Sequence, residues 1–361
     1  MTRGTAAAAG TRTVRVLVVD DSATVRAVLA RRLDADRTIE VVGRAADGFE
    51  ALDLIAELKP DVVTLDIEMP RLDGLGTLER IMRDCPTRVV MVSGLTREGA
   101  EATIRALELG AVDFIEKPTF GGVDAPQEVA DEVCRKVREA ATARLRRPAA
   151  TGPPARVPAT AARRQWLPKR VLIGSSTGGP QALRQVLTSL PADMGVPVVV
   201  VQHMPRGFTR SLAERLNEQA PLHIAEAERG SKLEVGTVLI APGGFHLTVN
   251  AAGVVDLDEE PLECGVLPSV NVALESMVNA FGADMLGVVL TGMGSDGTRG
   301  AGLIKAAGGS VIAEAEESCV VYGMPRSVAD AGYVDDVVPL DHIADMIVRR
   351  CLVQRPARQR Q

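Results

Sequence analysis

The feature that most constrains the fold is a repeated alternation of short apolar runs with segments of helical periodicity. In the first part of the chain five runs are predicted as strands: Val14–Val19, Ile39–Val42, Val62–Leu65, Val89–Val92 and Val112–Ile115. The helical segments between and after them are Thr24–Leu33, Gly48–Leu58, Leu75–Met82, Glu98–Leu109 and Glu128–Leu145. Repeated strand–helix units favour an α/β domain with a parallel sheet and helices on both faces.

Polar residues follow these predicted strands at the point where each strand ends. Asp20 and Asp21 follow the first strand, Asp66 follows the third, Ser93 the fourth, and Lys117 comes shortly after the fifth. Because function in an open parallel sheet lies at the carboxyl ends of the strands, we expect these side chains to converge. Clustered carboxylates repel each other unless a cation lies between them, and oxygen ligands suit Mg²⁺. The pattern therefore predicts a Mg²⁺ site with a lysine that can meet a phosphoryl group.

The residues Asp20-Asp21, Leu65–Gly74, Ser93 and Lys117-Pro118 resemble the receiver domain of two-component response regulators. The resemblance implies a flavodoxin-like (βα)5 fold with strand order 2-1-3-4-5. The alternative is that these are ordinary charges at strand ends.

The resemblance also implies roles for individual residues. Asp66 would accept a phosphoryl group from a histidine kinase, and Lys117 and Ser93 would contact that group. The implied metal ligands are Asp20, Asp21, Asp66 and the backbone carbonyl of Glu68. Phe114 occupies the position of a switch aromatic.

The chain is long enough for two domains, each with its own core. Residues 147–168 are rich in Pro and Ala and lack a hydrophobic period, which is typical of a linker. We therefore predict a receiver domain at residues 14–146, a linker at 147–168 and a catalytic domain at 169–353. Arginines in the linker are interpreted as solvated charge, or alternatively as a contact for an acidic surface or nucleic acid. The first dozen residues are expected to be a disordered leader.

The second domain opens on the stretch Val171–Pro180, a short apolar run followed by Gly174-Ser175-Ser176-Thr177-Gly178 and a segment of helical periodicity. This context suits a nucleophile elbow of the form G-x-S-x-G, with Ser176 as the serine on the turn. Two alternatives are a phosphate-binding turn and a purely structural glycine turn. A dinucleotide fingerprint needs an acidic residue near the end of the next strand, where this chain has His203.

Further along, Val196–Val201 and Met285–Leu290 are predicted strands, with a hairpin over Leu247–Asp256 between them and a helix at Val270–Phe281. This pattern favours a second α/β parallel sheet with an antiparallel hairpin. His203 and Asp296 follow two of these strands, as Ser176 follows the first. A serine needs a histidine to accept its proton, and the histidine needs a carboxylate to orient it.

Alternatives remain open for both partners, because His203 could be structural and Asp296 could be a helix N-cap. The order Ser, His, Asp also differs from the Ser, Asp, His order of α/β-hydrolases, so that fold is not predicted.

Four segments of this domain resemble the CheB family of chemotaxis protein-glutamate methylesterases. They are Gly174–Gly179, Gln202–Pro205 with Phe208-Thr209, Ala241–Gly244 and Leu290–Gly297. The resemblance implies Ser176 as nucleophile, His203 as general base and acid and Asp296 as the orienting carboxylate. The Met293 N–H would lie in the oxyanion hole, and Thr177 would support His203 or the hole. Ser295 departs from the asparagine often found before the catalytic aspartate.

The two resemblances together predict an esterase, activated by phosphorylation, that hydrolyses glutamate γ-methyl esters on chemoreceptors and deamidates receptor glutamines. The implied cofactor is Mg²⁺ for the receiver, with none for the esterase reaction. The implied partners are methyl-accepting chemoreceptors and a histidine kinase. A DNA-binding response regulator and a non-catalytic adaptor are the rival readings.

Composition and charge argue against nucleic acid and the membrane interior as partners. The net charge of −6 gives no general attraction to nucleic acid, and no apolar run approaches the ~20 residues that span a bilayer. Five scattered cysteines without a C-x-x-C pair indicate thiols in a reducing compartment. We expect a cytoplasmic monomer without membrane insertion.

Overall fold

The computed structural model describes residues 13–94, 96–117, 127–145, 168–259 and 265–351. The predicted leader, the predicted linker apart from Pro168, and Pro118 lie outside the described residues. The described chain forms two compact units.

A five-stranded parallel sheet dominates the first part of the described chain, with strand order β2-β1-β3-β4-β5. Its strands are β1 (Val14–Val19), β2 (Ile39–Ala45), β3 (Val62–Asp66), β4 (Arg88–Ser93) and β5 (Asp113–Glu116). The helices that follow them along the chain are α1 (Ala23–Asp34), α2 (Gly48–Leu58), α3 (Gly74–Asp84), α4 (Arg97–Leu109) and α5 (Gln127–Thr142). The predicted strand order is confirmed.

Short polar side chains set the starts of three of these helices. The hydroxyl of Ser22 accepts a hydrogen bond from an N–H in the first turn of α1, and the carboxylates of Asp47 and Asp73 do the same for α2 and α3. Each cap satisfies an N–H that the helix itself cannot pair. The helices therefore begin close to where the sequence pattern predicts.

A seven-stranded parallel sheet forms the centre of the second unit, with order β14-β13-β12-β6-β7-β9-β8 among the described residues. Its strands are β6 (Arg170–Ser175), β7 (Val198–Gln202), β8 (His223–Glu226), β9 (Thr237–Ile240), β12 (Met285–Val289), β13 (Ser310–Glu314) and β14 (Asp336–Val338). The predicted hairpin is present as an antiparallel pair, β10 (His246–Val249) and β11 (Val255–Asp258). The helices are α6 (Gly179–Ser189), α7 (Phe208–Gln219), α8 (Val270–Phe281), α9 (Thr298–Ala307), α10 (Met324–Asp330) and α11 (Leu340–Cys351).

The predicted fold class, α/β with two parallel sheets and an antiparallel hairpin, is confirmed. The sequence analysis did not predict β8, nor any of β13, α10, β14 and α11 after α9. Both β8 and β14 are short strands at the two edges of the sheet and carry exposed residues, so they lack the continuous apolar run of a central strand. None of the helices in the described residues is long and apolar enough to cross a membrane.

Close packing of α8 against α9 positions the loop that precedes α9. A Cβ atom on Gly300 of α9 would lie 2.5 Å from Cβ and 2.6 Å from Cδ1 of Leu274 on α8. Leu274 is fully buried in the core between these helices and the sheet. The glycine is therefore required by the approach of the two helices, although it is a poor helix former.

We expect Gly300→Ala to destabilise the protein, because overpacking costs about 1–3 kcal/mol in a tight core. In an exposed helix interior the same change would stabilise by about 1 kcal/mol. Gly302→Ala on the same helix is the matched control, since the atoms nearest to its Cβ would belong to the exposed ring of Tyr333, at 3.0 Å and beyond. Urea unfolding followed by far-UV circular dichroism measures both. Equal stability of the two variants would contradict the packing argument.

Candidate active site and candidate phosphoryl-acceptor site

Ser176 lies on a tight turn between the end of β6 and the start of α6. Gly178 in this turn has φ +77°, and a Cβ there would lie 2.6 Å from Cβ of Val320, so both backbone conformation and space require glycine. Ser176 is partly exposed, whereas Ser175 and Thr177 on either side are buried. The turn thus presents Ser176 at the carboxyl end of a central strand, as predicted for an elbow.

His203 lies beside this turn because β6 and β7 are neighbouring parallel strands. Ser175 and Gln202 are in register at the ends of the two strands, and the His203 N–H donates to the Ser175 carbonyl at 3.0 Å. The imidazole is nearly buried, and its Nε2 lies 2.8 Å from Oδ2 of Asp296. Since Nε2 faces the carboxylate, Nδ1 is the ring nitrogen that remains to take a proton from a serine.

Asp296 is 3% exposed and lies at the start of helix α8. Its carboxylate accepts hydrogen bonds from the N–H groups of Val270 (2.6 Å) and Asn271 (2.9 Å) and from the hydroxyl of Ser269 (3.0 Å). Although it comes before α9, the N-cap residue of α9 is Gly297, which makes no side-chain cap. The N-cap alternative is therefore correct only in part, because the carboxylate binds the N-terminus of a different helix.

The surroundings of Asp296 keep it ionised. Burial alone would raise its pKa, but the hydrogen bond and charge of His203 and the two helical N–H groups together lower the pKa below its ordinary value. A negative charge at a helix N-terminus is also stabilised by the helix dipole. A permanent carboxylate beside Nε2 is the group needed to orient the imidazole and to stabilise its protonated form.

The loop between β12 and α9 is tied to the serine turn. The N–H of Thr291 donates to the buried carboxylate of Glu314 at 2.8 Å, and its hydroxyl donates to the Thr177 carbonyl at 3.0 Å. A Cβ on Gly292 would lie 2.7 Å from Cβ of Ser176, so the two backbones meet closely. Met293, the next residue in this loop, is 42% exposed.

Sequence reasoning missed four residues that hold this site together: Gln202, Ser269, Asn271 and Glu314. Asn271 accepts hydrogen bonds through Oδ1 from the N–H groups of Gly297 and Gly300, at 3.0 and 2.9 Å. Ser269 carried a local signal, since it directly precedes a helical pattern and is a favoured N-cap residue. Gln202 stands in one of the segments that resemble the CheB family, but the resemblance gave it no role. Asn271 and Glu314 make contacts across the fold, and no local pattern reports such contacts.

The predicted acidic cluster of the first unit is present. Ligand oxygens of Asp20, Asp21 and Asp66 lie within 4.8 Å of one another. Asp20 and Asp66 are buried and Asp21 is exposed. Oδ2 of Asp20 is buried without a hydrogen-bond partner among the described residues, and its nearest cation is Nζ of Lys117 at 3.8 Å. Three close carboxylates with an unsatisfied oxygen fit a small hard cation such as Mg²⁺.

Lys117 lies 2.7 Å from the carboxylate of Asp66, and burial is the main reason that the pKa of Asp66 rises to about 6. Burial acts to lower the pKa of Lys117, but the hydrogen bond and charge of Asp66, together with the charges of Asp20 and Asp21, raise it overall. The positive charge of Lys117 and the negative charge of Asp66 therefore stabilise each other at this edge of the sheet.

The remaining predicted residues lie around this cluster. Ser93 is buried one position beyond the pair Asp66–Val92, and its carbonyl accepts the Lys117 N–H at 2.7 Å. Glu68 is exposed, and its N–H donates to Asp66 at 3.3 Å. Phe114 is buried, with the ammonium of Lys136 4.8 Å from its ring centre.

Comparison with known proteins finds relatives for both parts of the chain. The family model for CheB methylesterase matches residues 171–347, and the model for the response regulator receiver domain matches residues 16–122. A protein-glutamate methylesterase/protein-glutamine glutaminase of Symbiobacterium thermophilum is 52% identical over 94% of this chain and 97% of its own length. Similar proteins from Pseudomonas aeruginosa and Thermotoga maritima are each 46% identical, over 93% of this chain and 97% and 98% of their own lengths. The chain therefore belongs to the CheB methylesterase family.

Proposed function

We propose that this protein is a phosphorylation-activated protein-glutamate methylesterase that uses Ser176 as its nucleophile. The observation that carries the proposal is the convergence of Ser176, His203 and Asp296 on three adjacent parallel strands, β6, β7 and β12. Each follows the carboxyl end of its strand, and the base and its orienting carboxylate are already 2.8 Å apart. This is the arrangement that activates a serine hydroxyl.

The reaction follows from these groups. The hydroxyl of Ser176 attacks the γ-ester carbon of a methylated glutamate while its proton passes to Nδ1 of His203. The C–O bond to the methoxy group then breaks, and the imidazolium returns the proton so that methanol leaves. Water, deprotonated by His203, then attacks the acyl carbon, the C–O bond to Ser176 breaks, and the imidazolium returns the proton to the serine oxygen, which frees glutamate. Asp296 stays ionised throughout and stabilises the imidazolium.

The loop between β12 and α9 is the proposed oxyanion site. The backbone N–H of Met293 would donate to the developing oxyanion, since its loop lies against Ser176 at Gly292. Thr177 would act as a support, because its carbonyl receives the hydroxyl of Thr291 and so joins the turn to the loop.

The substrate class comes from the relatives, whose names combine esterase and glutaminase activity. Both reactions pass through the same acyl-enzyme, with ammonia leaving in place of methanol when the substrate is glutamine. We propose methyl-accepting chemoreceptors as the substrate proteins, because the resemblance to CheB chemotaxis methylesterases implies them. A DNA-binding output and a non-catalytic adaptor stay as rivals, but no contact in the described residues favours either.

The acidic cluster is the proposed site of regulation. A carboxylate oxygen of Asp66 would take the phosphoryl group from a phosphohistidine of a kinase, with the N–P bond breaking as the O–P bond forms. Asp20, Asp21, Asp66 and the Glu68 carbonyl would hold Mg²⁺, which supplies positive charge to the phosphoryl oxygens when bound. Lys117 and Ser93 would contact the phosphoryl group from the neighbouring strands.

Ser176→Ala should lower kcat for methanol release from a methylated receptor fragment by about 10³-fold or more, because it removes the nucleophile. Ser189→Ala, an exposed serine on α6, is the matched control and should behave as wild type. Substantial methanol release by the Ser176 variant would refute the serine mechanism and favour the adaptor or another chemistry.

Asp296→Asn should lower kcat by about 10³–10⁴-fold with little change in KM, because an amide cannot stabilise the imidazolium and favours the wrong tautomer. The same substitution at Asp330, an exposed residue of α10, serves as the control. Steady-state methanol release and thermal unfolding are measured together. A variant that folds and keeps a tenth of the activity would remove Asp296 from the proposed mechanism.

Asp66→Asn should abolish phosphorylation by a small phosphodonor in the presence of Mg²⁺, because the substitution removes the carboxylate oxygen that accepts the phosphoryl group. It should also remove the rise in esterase rate that the phosphodonor causes. Asp53→Asn on the exposed face of α2 should retain both. Stable incorporation of phosphate into the Asp66 variant, detected by mass spectrometry, would show that another residue is the acceptor.

A further inference from the structure

Gln202, the last residue of β7, has no part in the mechanism above, yet it is 2% exposed and lies between the serine turn and the histidine loop. A buried amide needs partners for two N–H groups and a carbonyl oxygen. The contacts that it makes here are the basis of the inference.

The amide nitrogen of Gln202 binds the backbone of both reacting residues. Nε2 donates to the carbonyl of Ser176 at 2.9 Å and to the carbonyl of His203 at 3.0 Å. Oε1 accepts the hydroxyl of Ser175 at 2.7 Å. The orientation of the amide follows from chemistry, because the two backbone carbonyls can only accept and must face the nitrogen.

The serine turn is shaped to admit this amide. A Cβ on Gly179, the first residue of α6, would lie 1.9 Å from Oε1 and 2.9 Å from Cδ of Gln202. Gly179 is buried and has no positive φ to explain its identity, so space for Gln202 is the physical reason for a glycine there. The absence of a side chain at Gly179 therefore leaves the space that the Gln202 amide occupies.

We propose that Gln202 is a positioning residue that sets the separation between the nucleophile Ser176 and the base His203; this rests on the function proposed above. The ladder between β6 and β7 pairs residues only as far as Ser175 and Gln202. Beyond that point, the His203 N–H donates to the Ser175 carbonyl at 3.0 Å, and the amide of Gln202 bridges the carbonyls of the two reacting residues. A misplacement of about 1 Å in such a pair can cost 10²-fold in rate.

The test uses two readouts on the full-length protein. One is steady-state methanol release, and the other is the rate at which a fluorophosphonate probe labels Ser176, forming an O–P bond as fluoride leaves. Labelling needs no receptor, so it reports the reactivity of the serine separately from substrate binding.

Gln202→Met keeps an unbranched side chain but removes all three hydrogen bonds. We expect kcat and the labelling rate to fall in parallel by about 10- to 100-fold, with KM close to wild type. Gly179→Ala displaces the amide without deleting a hydrogen-bonding group and should lower both rates in the same way, which provides an independent variant if the first folds poorly.

Ser310→Ala is the control for stability alone. Its buried hydroxyl donates to Asp335 at 2.9 Å at the amino end of β13, the opposite end of the sheet from the serine turn. It should lower the melting temperature and leave both rates unchanged.

The outcomes separate the two proposals. If Gln202→Met and Gly179→Ala have the same labelling rate and kcat as Ser310→Ala at comparable stability, the positioning role is overturned and the serine mechanism stands. If Ser176→Ala is labelled and turns over like wild type, the serine mechanism is wrong and the positioning role is overturned with it. A parallel fall in both rates, confined to Gln202 and Gly179, supports the inference.

Discussion

The catalytic unit depends on the burial of one negative charge, the carboxylate of Asp296. An ionised carboxylate that leaves water is costly unless hydrogen bonds replace its hydration. Here the replacement comes from the first turn of α8, from the hydroxyl of Ser269 and from His203. Asp296 can therefore stay ionised only while the start of α8 lies against the loop after β12. The close α8–α9 packing at Gly300 keeps that position.

The two buried carboxylates to which the proposed function assigns roles differ in how well their charge is satisfied. Burial acts to raise the pKa of both Asp296 and Asp66. At Asp296 the histidine and several N–H groups reverse the direction, whereas at Asp66 the hydrogen bond from Lys117 reduces the rise but leaves the pKa at about 6. The lowered pKa of Asp296 suits the role proposed for it, because an orienting carboxylate must stay charged.

Local sequence pattern was sufficient to predict most of the framework. Apolar runs placed the strands within a few residues, and the order of acidic residues, Ser93 and Lys117 along the first unit placed them at one sheet edge. The pattern did not predict β8 or the elements after α9; β8 and β14 are edge strands that lack an apolar run, whereas β13 is fully buried. A cap before α9 was the alternative to an orienting role for Asp296, and the carboxylate in fact binds the start of α8. Capping across the fold leaves no local signal.

The sequence by itself determined which chemical groups follow which strands, because the period of apolar residues and the glycine turns are local properties of the chain. Tertiary structure alone decided which of those groups meet. The order β12-β6-β7 brings Asp296 to His203 across 93 residues, and the amide of Gln202 reaches the carbonyls of Ser176 and His203, just beyond the ends of β6 and β7. Such contacts depend on strand pairing between distant segments and on the packing of individual side chains, which are settled only when the whole sheet and its helices have formed.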